Sequence, residues 1–176
     1  MKTQKLFLVL IMVVIFLLGT VLAASAANKI RLTGGANNTY FGLGWEWIDL
    51  NISLDPDTGD AEGKARYRVY EYADDPKVFY SWVAEPICGA MGVYDGVPTM
   101  AFVIKIVEQK NIDPAWVGKY AKMSISDGGQ NASQDILGIV VWDLINNTPV
   151  SEQPSCDFAV PLIAYPSQNG NLTIHD

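Results

Sequence analysis

From residue 27 onward the apolar positions recur with a period of two, the spacing of a strand whose successive side chains point to opposite faces. Over 64–72, Ala65, Tyr67 and Val69 fall on one face and Arg66, Arg68 and Tyr70 on the other. Residues 99–108 place Met100, Phe102, Ile104 and Ile106 together, and 120–126 set Ala121, Met123 and Ile125 against Tyr120, Lys122, Ser124 and Ser126. The run 77–84 is aromatic and β-branched, and 136–144 is almost wholly apolar, as a strand buried on both faces would be. Shorter runs lie at 30–33, 41–50, 158–163 and 172–175. Turn-forming residues separate them at 56–59, 74–76, 95–98, 112–114, 127–129 and 146–154. No window of eleven or more residues spaces its apolar groups at three and four, so no helix is predicted. The pattern predicts an all-β fold, an antiparallel β-sandwich of about eight or nine strands.

The first residues follow a different rule. Lys2 and Lys5 precede an apolar run from Leu6 to Leu22, interrupted by Gly19 and Thr20, and Ala24-Ser25-Ala26 follows. This order is that of a secretory signal peptide over 1–26, with an uncleaved anchor as the alternative. The run, 17 residues long, falls short of the roughly 20 that cross a bilayer. Cleavage after Ala26 leaves a single β-sandwich domain over 27–176, long enough for a real core. It also removes two of the 12 basic residues and none of the 19 acidic ones, so the remaining chain carries ten against 19, a net charge of −9. Such a surface repels nucleic-acid phosphates and anionic membranes. No later stretch is apolar enough to span a membrane, so a secreted or cell-surface location is expected, with the oligomeric state open.

Export gives meaning to the two cysteines. In an oxidising compartment Cys88 and Cys156 are most simply one disulfide, with two separate buried thiols as the alternative. It also draws attention to five Asn-x-Ser/Thr triplets, at Asn37, Asn51, Asn131, Asn146 and Asn171. Asn146 is the poorest glycan acceptor because Pro149 follows its threonine.

Candidate chemistry is sparse. His175 is the only imidazole and lies next to the C-terminus, a poor place for a catalytic base. Glu46, Asp49, Glu71, Glu85 and Asp143 lie on or beside strands, and a glycosidase needs only two carboxylates at a fixed separation. Calcium is the more plausible ion: Asp55, Asp57, Asp60 and Glu62 pack four carboxylates into eight residues around a turn. Asp127 to Asp135 forms a second, weaker cluster. Trp45 and Trp47 share a strand face, either as core or as an exposed strip on which sugar rings stack. Trp82, Trp116 and Trp142 lie in or beside apolar runs and read as core.

Several short motifs recur in one order: Gly42-Leu43-Gly44-Trp45, Gly63-Lys64-Ala65, the Cys88 strand ending at Gly96, Ser126-Asp127-Gly128-Gly129, Gly138 to Trp142, and the closing Gly170-Asn171-Leu172-Thr173-Ile174-His175. The whole chain after the leader resembles a family of small secreted prokaryotic β domains akin to the post-COAP domain. It departs from that pattern at Leu43 and Glu46, and at Gln130, where the acidic loop lacks its Glu. The resemblance implies fold and compartment and brings no catalytic residues. The expectation is a non-enzymatic adhesion, envelope or structural domain, with a cell-surface glycan or envelope protein as partner. The alternatives are a carbohydrate-binding module using Trp45 and Trp47, and a small carboxylate-pair glycoside hydrolase.

Overall fold

The alternating runs become strands of one sheet. The computed structural model describes residues 29–40, 44–71, 78–129, 135–143 and 148–175; the leader, Asn131 and Asn146 lie outside them. Among the described residues the strands are β1 (Ile30–Tyr40), β2 (Gly44–Leu54), β3 (Ala61–Glu71), β4 (Val78–Tyr94), β5 (Val97–Lys110), β6 (Tyr120–Ser126), β7 (Ile136–Val141), β8 (Ile163–Pro166) and β9 (Asn169–His175). A 3-10 turn, η1 (Pro114–Trp116), interrupts the passage from β5 to β6. Consecutive strands from β1 to β8 pair antiparallel, and β9 returns to pair with β1. Where two stacked sheets are expected from the sequence, the strands instead form one continuous sheet.

That sheet has to curl. β8 and β9 occupy its opposite edges, yet only Ser167 and Gln168 separate them in the chain. Three Cα–Cα steps reach at most about 11 Å. The two edges therefore meet at this junction, where Gln168 N–H donates to the Asn37 carbonyl at 2.9 Å. The seam along β9 is sealed by side chains. Arg31, Thr33 and Gly35 of β1 face His175, Thr173 and Asn171, which leaves the N–H groups of Leu172 and Ile174 on the other edge. Asp135 accepts from Leu172 N–H at 2.8 Å, and Asp127 accepts from Ile174 N–H at 2.8 Å. Two carboxylates thus stand where a neighbouring strand's carbonyls would be.

The inside of the curl is the core. Leu32, Ile52, Leu54, Met100, Phe102, Ile104, Ile106, Ile125 and Leu172 are fully buried there; Met100, Phe102, Ile104, Ile106 and Ile125 come from the alternate positions predicted to share a face. Among the described residues, 150–162 wrap across the outside over β4–β7. Cys156 in this wrap is bonded to Cys88 of β4, Cα atoms 5.5 Å apart. Lys122, only 3% exposed, projects outward from β6. Its ammonium donates to the carbonyls of Ser155 at 2.7 Å and Asp157 at 2.5 Å. The wrap explains why β7 is buried on both faces. It also holds the apolar run 158–163 outside the sheet, so that β8 begins only at Ile163.

β1 runs well past the predicted 30–33, through Gly34 and Gly35 to Tyr40. Gly34 has φ 122°, and a Cβ there would lie 2.0 Å from the Asn171 carbonyl oxygen. Glycine at this point lets β9 approach β1 rather than breaking the strand.

Candidate functional site

The parity of β2 sorts its side chains. Ile48, Leu50, Ile52 and Leu54 enter the core, which puts Trp45, Trp47 and Asp49 on the outer face of the sheet. Trp45 and Trp47 are half-buried and do not belong to the core cluster. Trp45 stacks on Tyr70 of the neighbouring strand, centroids 4.0 Å apart and planes 10° off parallel. Trp47 lies across Gly35 of β1: a Cβ on that glycine would come within 2.8 Å of the indole. The indole N–H donates to Asp49 Oδ1 at 2.6 Å, and Arg68 donates to Asp49 Oδ2 at 2.7 Å. Each ring is therefore held by a specific neighbour, and the Asp49–Arg68 pair, about a third exposed, lines the edge of the patch. Aromatic rings in a fixed setting beside exposed charged donors and acceptors suit a flat, amphipathic ligand such as a sugar ring.

The same parity turns Glu46 inward, where a charged residue interrupts the apolar face of β2. Tyr67 of β3 donates a short hydrogen bond to its carboxylate. The two residues line a cavity of about 140 Å³ at the end of the curl where β5 passes to β6. Tyr80 and Trp82 of β4, Trp116 of η1, Trp142 just after β7 and Tyr165 of β8 complete an aromatic wall. Tyr67 stacks on Trp82 at 5.1 Å, and Trp116 meets Trp142 edge to face at 5.3 Å. Trp116 reaches the wall because η1 starts on Pro114 and is capped by Asp113, whose carboxylate accepts from Ala115 N–H at 2.9 Å. Trp82 is core as expected, whereas Trp116 and Trp142 are only half-buried against it. The sequence reading did not find this site. Its signal was Glu46, the one charge on the inward positions 46–54 of β2.

Burial pushes the Glu46 carboxyl above the ordinary glutamate range, by more than the Tyr67 hydrogen bond draws it down. The Tyr165 phenol is pushed up by burial and then by the charge of Glu46. A carboxyl that binds its proton more tightly when folded stabilises the fold fully below its unfolded pKa. That contribution is lost as the pH rises through the raised folded value. Glu46→Gln removes the buried charge and keeps an acceptor for Tyr67. Its melting temperature at pH 7 should exceed that of the wild type, and the gap should close as the pH falls towards 4. Thermal unfolding at several pH values checks this; a glutamine variant less stable than wild type at pH 7 would refute it.

The other predicted residues do not gather into a site. Asp55 accepts from the N–H groups of Asp57 and Thr58, Asp60 accepts from the Thr58 hydroxyl, and Glu62 pairs with Lys29 at 2.5 Å. These bonds shape the hairpin turn around Thr58 and tie Glu62 to Lys29. Among the described residues no three His, Cys, Asp or Glu side chains converge to hold a metal ion. Asp127 and Asp135 are committed to β9. Of the carboxylates weighed for a glycosidase, only Glu46 lines the cavity; Asp49 is on the opposite face of β2, Glu85 is exposed, and Glu71's side chain lies outside the described residues. His175 is exposed, with its ring 3.3 Å from the Thr33 hydroxyl. Asn51 and Asn171 are exposed, and Asn37 is half-buried with its Oδ1 covered. Comparison of the chain with protein-family models, with curated proteins and with solved structures finds no match.

Proposed function

We propose that this chain is an exported, non-catalytic binding domain, secreted or held at the cell surface, that takes carbohydrate on the outer face of β1–β3. The reading rests on one observation: Trp47 is held across Gly35 by Asp49 and Arg68, beside the Trp45–Tyr70 stack and outside the core. Tryptophans that stabilised the fold would point into the curl, as Trp82 does. The leader, the Cys88–Cys156 bridge and the acidic balance favour an exported setting, as does the likeness to small secreted β domains. The separation of Glu46 from Asp49 across the sheet favours binding over hydrolysis.

Trp47→Ala should cut retention by a bound polysaccharide about tenfold or more, the loss of roughly 1.4 kcal/mol of stacking and hydrogen bonding. The melting temperature should fall little, because the ring lies outside the core. Glycan-array binding and affinity electrophoresis, with thermal unfolding alongside, test this. Wild-type protein that retains no glycan, or a variant that binds as well as wild type, overturns the reading.

A further inference from the structure

We propose that the aromatic cavity is a second binding site, for the methylated ammonium head of a small organic cation. Its volume, about 140 Å³, is close to that of the roughly 150 Å³ cavity that admits benzene in an engineered protein core. A compact head group therefore fits, and a sugar oligomer does not. Its wall combines the rings of Tyr67, Tyr80, Trp82, Trp116, Trp142 and Tyr165 with a single carboxylate, Glu46. Ring faces attract a cation through their quadrupoles, and tryptophan does so best. The described ion pairs are Lys29–Glu62 and Arg68–Asp49, so no described cation neutralises Glu46. Lys122 borders the cavity, but its ammonium is turned to the outer face and held by the Ser155 and Asp157 carbonyls. Among the described residues the cavity thus offers negative charge and π-faces with no ammonium or guanidinium turned into it.

The same wall argues for a methylated head over a primary amine. An –NH₃⁺ group brings three donors that need acceptors; this wall is made of rings and aliphatic side chains, and its acceptors are Glu46, one oxygen of which is already engaged by Tyr67, and the tyrosine hydroxyls. A trimethylammonium head has no N–H donor to satisfy, and it is less costly to strip of water. The site is separate from the outer tryptophan patch, since Glu46 and Trp47 point to opposite faces of β2.

The test uses choline and its neutral carbon isostere 3,3-dimethylbutan-1-ol, each titrated into the protein while the indole N–H resonances are followed by NMR. Choline should shift the Trp116 and Trp142 indole signals saturably, and the isostere should bind about tenfold more weakly or less. Glu46→Gln should weaken choline about tenfold and bring the two ligands to similar affinity, while Trp47→Ala leaves choline binding unchanged. Absence of saturable shifts with choline overturns the proposal. So does equal affinity of the wild type for choline and the isostere, which would make the cavity a neutral apolar pocket. The wild-type comparison of the two ligands decides the matter even if Glu46→Gln does not fold.

Discussion

Replacing Cys88 and Cys156 together by serine should lower the free energy of unfolding by about 4 kcal/mol. The bridge joins residues 68 apart in sequence, and the chain-entropy estimate for a loop of that length is close to this figure. For a domain of this size that corresponds to a drop of about 10 °C in melting temperature. The effect acts chiefly on the unfolded chain, but it also has a folded target. The bridge pins the wrap to β4, and the wrap buries the outward residues Ala101, Val103 and Ser124. Other anchors stay behind: the Lys122 ammonium on the Ser155 and Asp157 carbonyls, the Phe158 ring over Gly92, and the backbone hydrogen bonds of Val150 to Tyr120 and of Leu162 to Ile139. The double variant should therefore fold with its wrap in place and unfold earlier. Urea titration should also give a larger m-value, because the unfolded chain without its cross-link exposes more surface. A loss under about 1 kcal/mol would mean that the unfolded chain is already compact around this loop.

The contrast between this bridge and the rest of the fold shows what the residues themselves disclose. β3, β5 and β6 are legible because their large apolar side chains recur at every second position, so Tyr67, Phe102 and Met123 mark an inward register that needs no tertiary information, even where the wrap also buries the outward residues of β5 and β6. The second half of β4 is not. It runs through two register shifts, at Val83/Ala84 and Pro86/Cys88, and Ala84, Pro86 and Cys88 are buried although they do not all share a face, so no alternation survives. The curl itself has no local signature. It is imposed by the two-residue link between β8 and β9, whose meaning depends on which strands lie at the edges. The site shows the same division. Spacing alone puts Trp45 and Trp47 on one face but does not say which. The apolar even positions of β2 send them outward, and that inference was available in the sequence. The cavity wall was not, because Tyr67, Trp82, Trp116, Trp142 and Tyr165 come from five separate segments that only the curled sheet brings together.

The edge of β9 predicts a second large effect. Asp135 is fully buried, and it accepts from Leu172 N–H at 2.8 Å and Gly128 N–H at 3.1 Å. Asp135→Ala strands both donors. A buried donor left without a partner costs about 1–3 kcal/mol. Leu172 is fully buried, whereas Gly128 is partly open to water, so the expected loss is about 2–4 kcal/mol. Asp127→Ala should cost less, about 1 kcal/mol, because Asp127 and Ile174 are both half-buried and water can replace the lost oxygen. Asp135→Asn separates acceptor from charge. Burial raises the Asp135 carboxyl above the ordinary aspartate range, against the pull of its two backbone hydrogen bonds. The anion is therefore the costly part of the group, but each oxygen accepts from a different N–H; asparagine keeps one acceptor and sets its NH2 against the other donor, so it should recover less than half of the alanine loss. Hydrogen exchange locates the effect: Asp135→Ala should strip protection from the Leu172 amide first, and Asp127→Ala from Ile174. If the two alanine variants lose equal stability, or if exchange rises uniformly over all strands, then β9 is held by its pairing with β1 alone. The carboxylates would then be passengers on an edge that needs no cap.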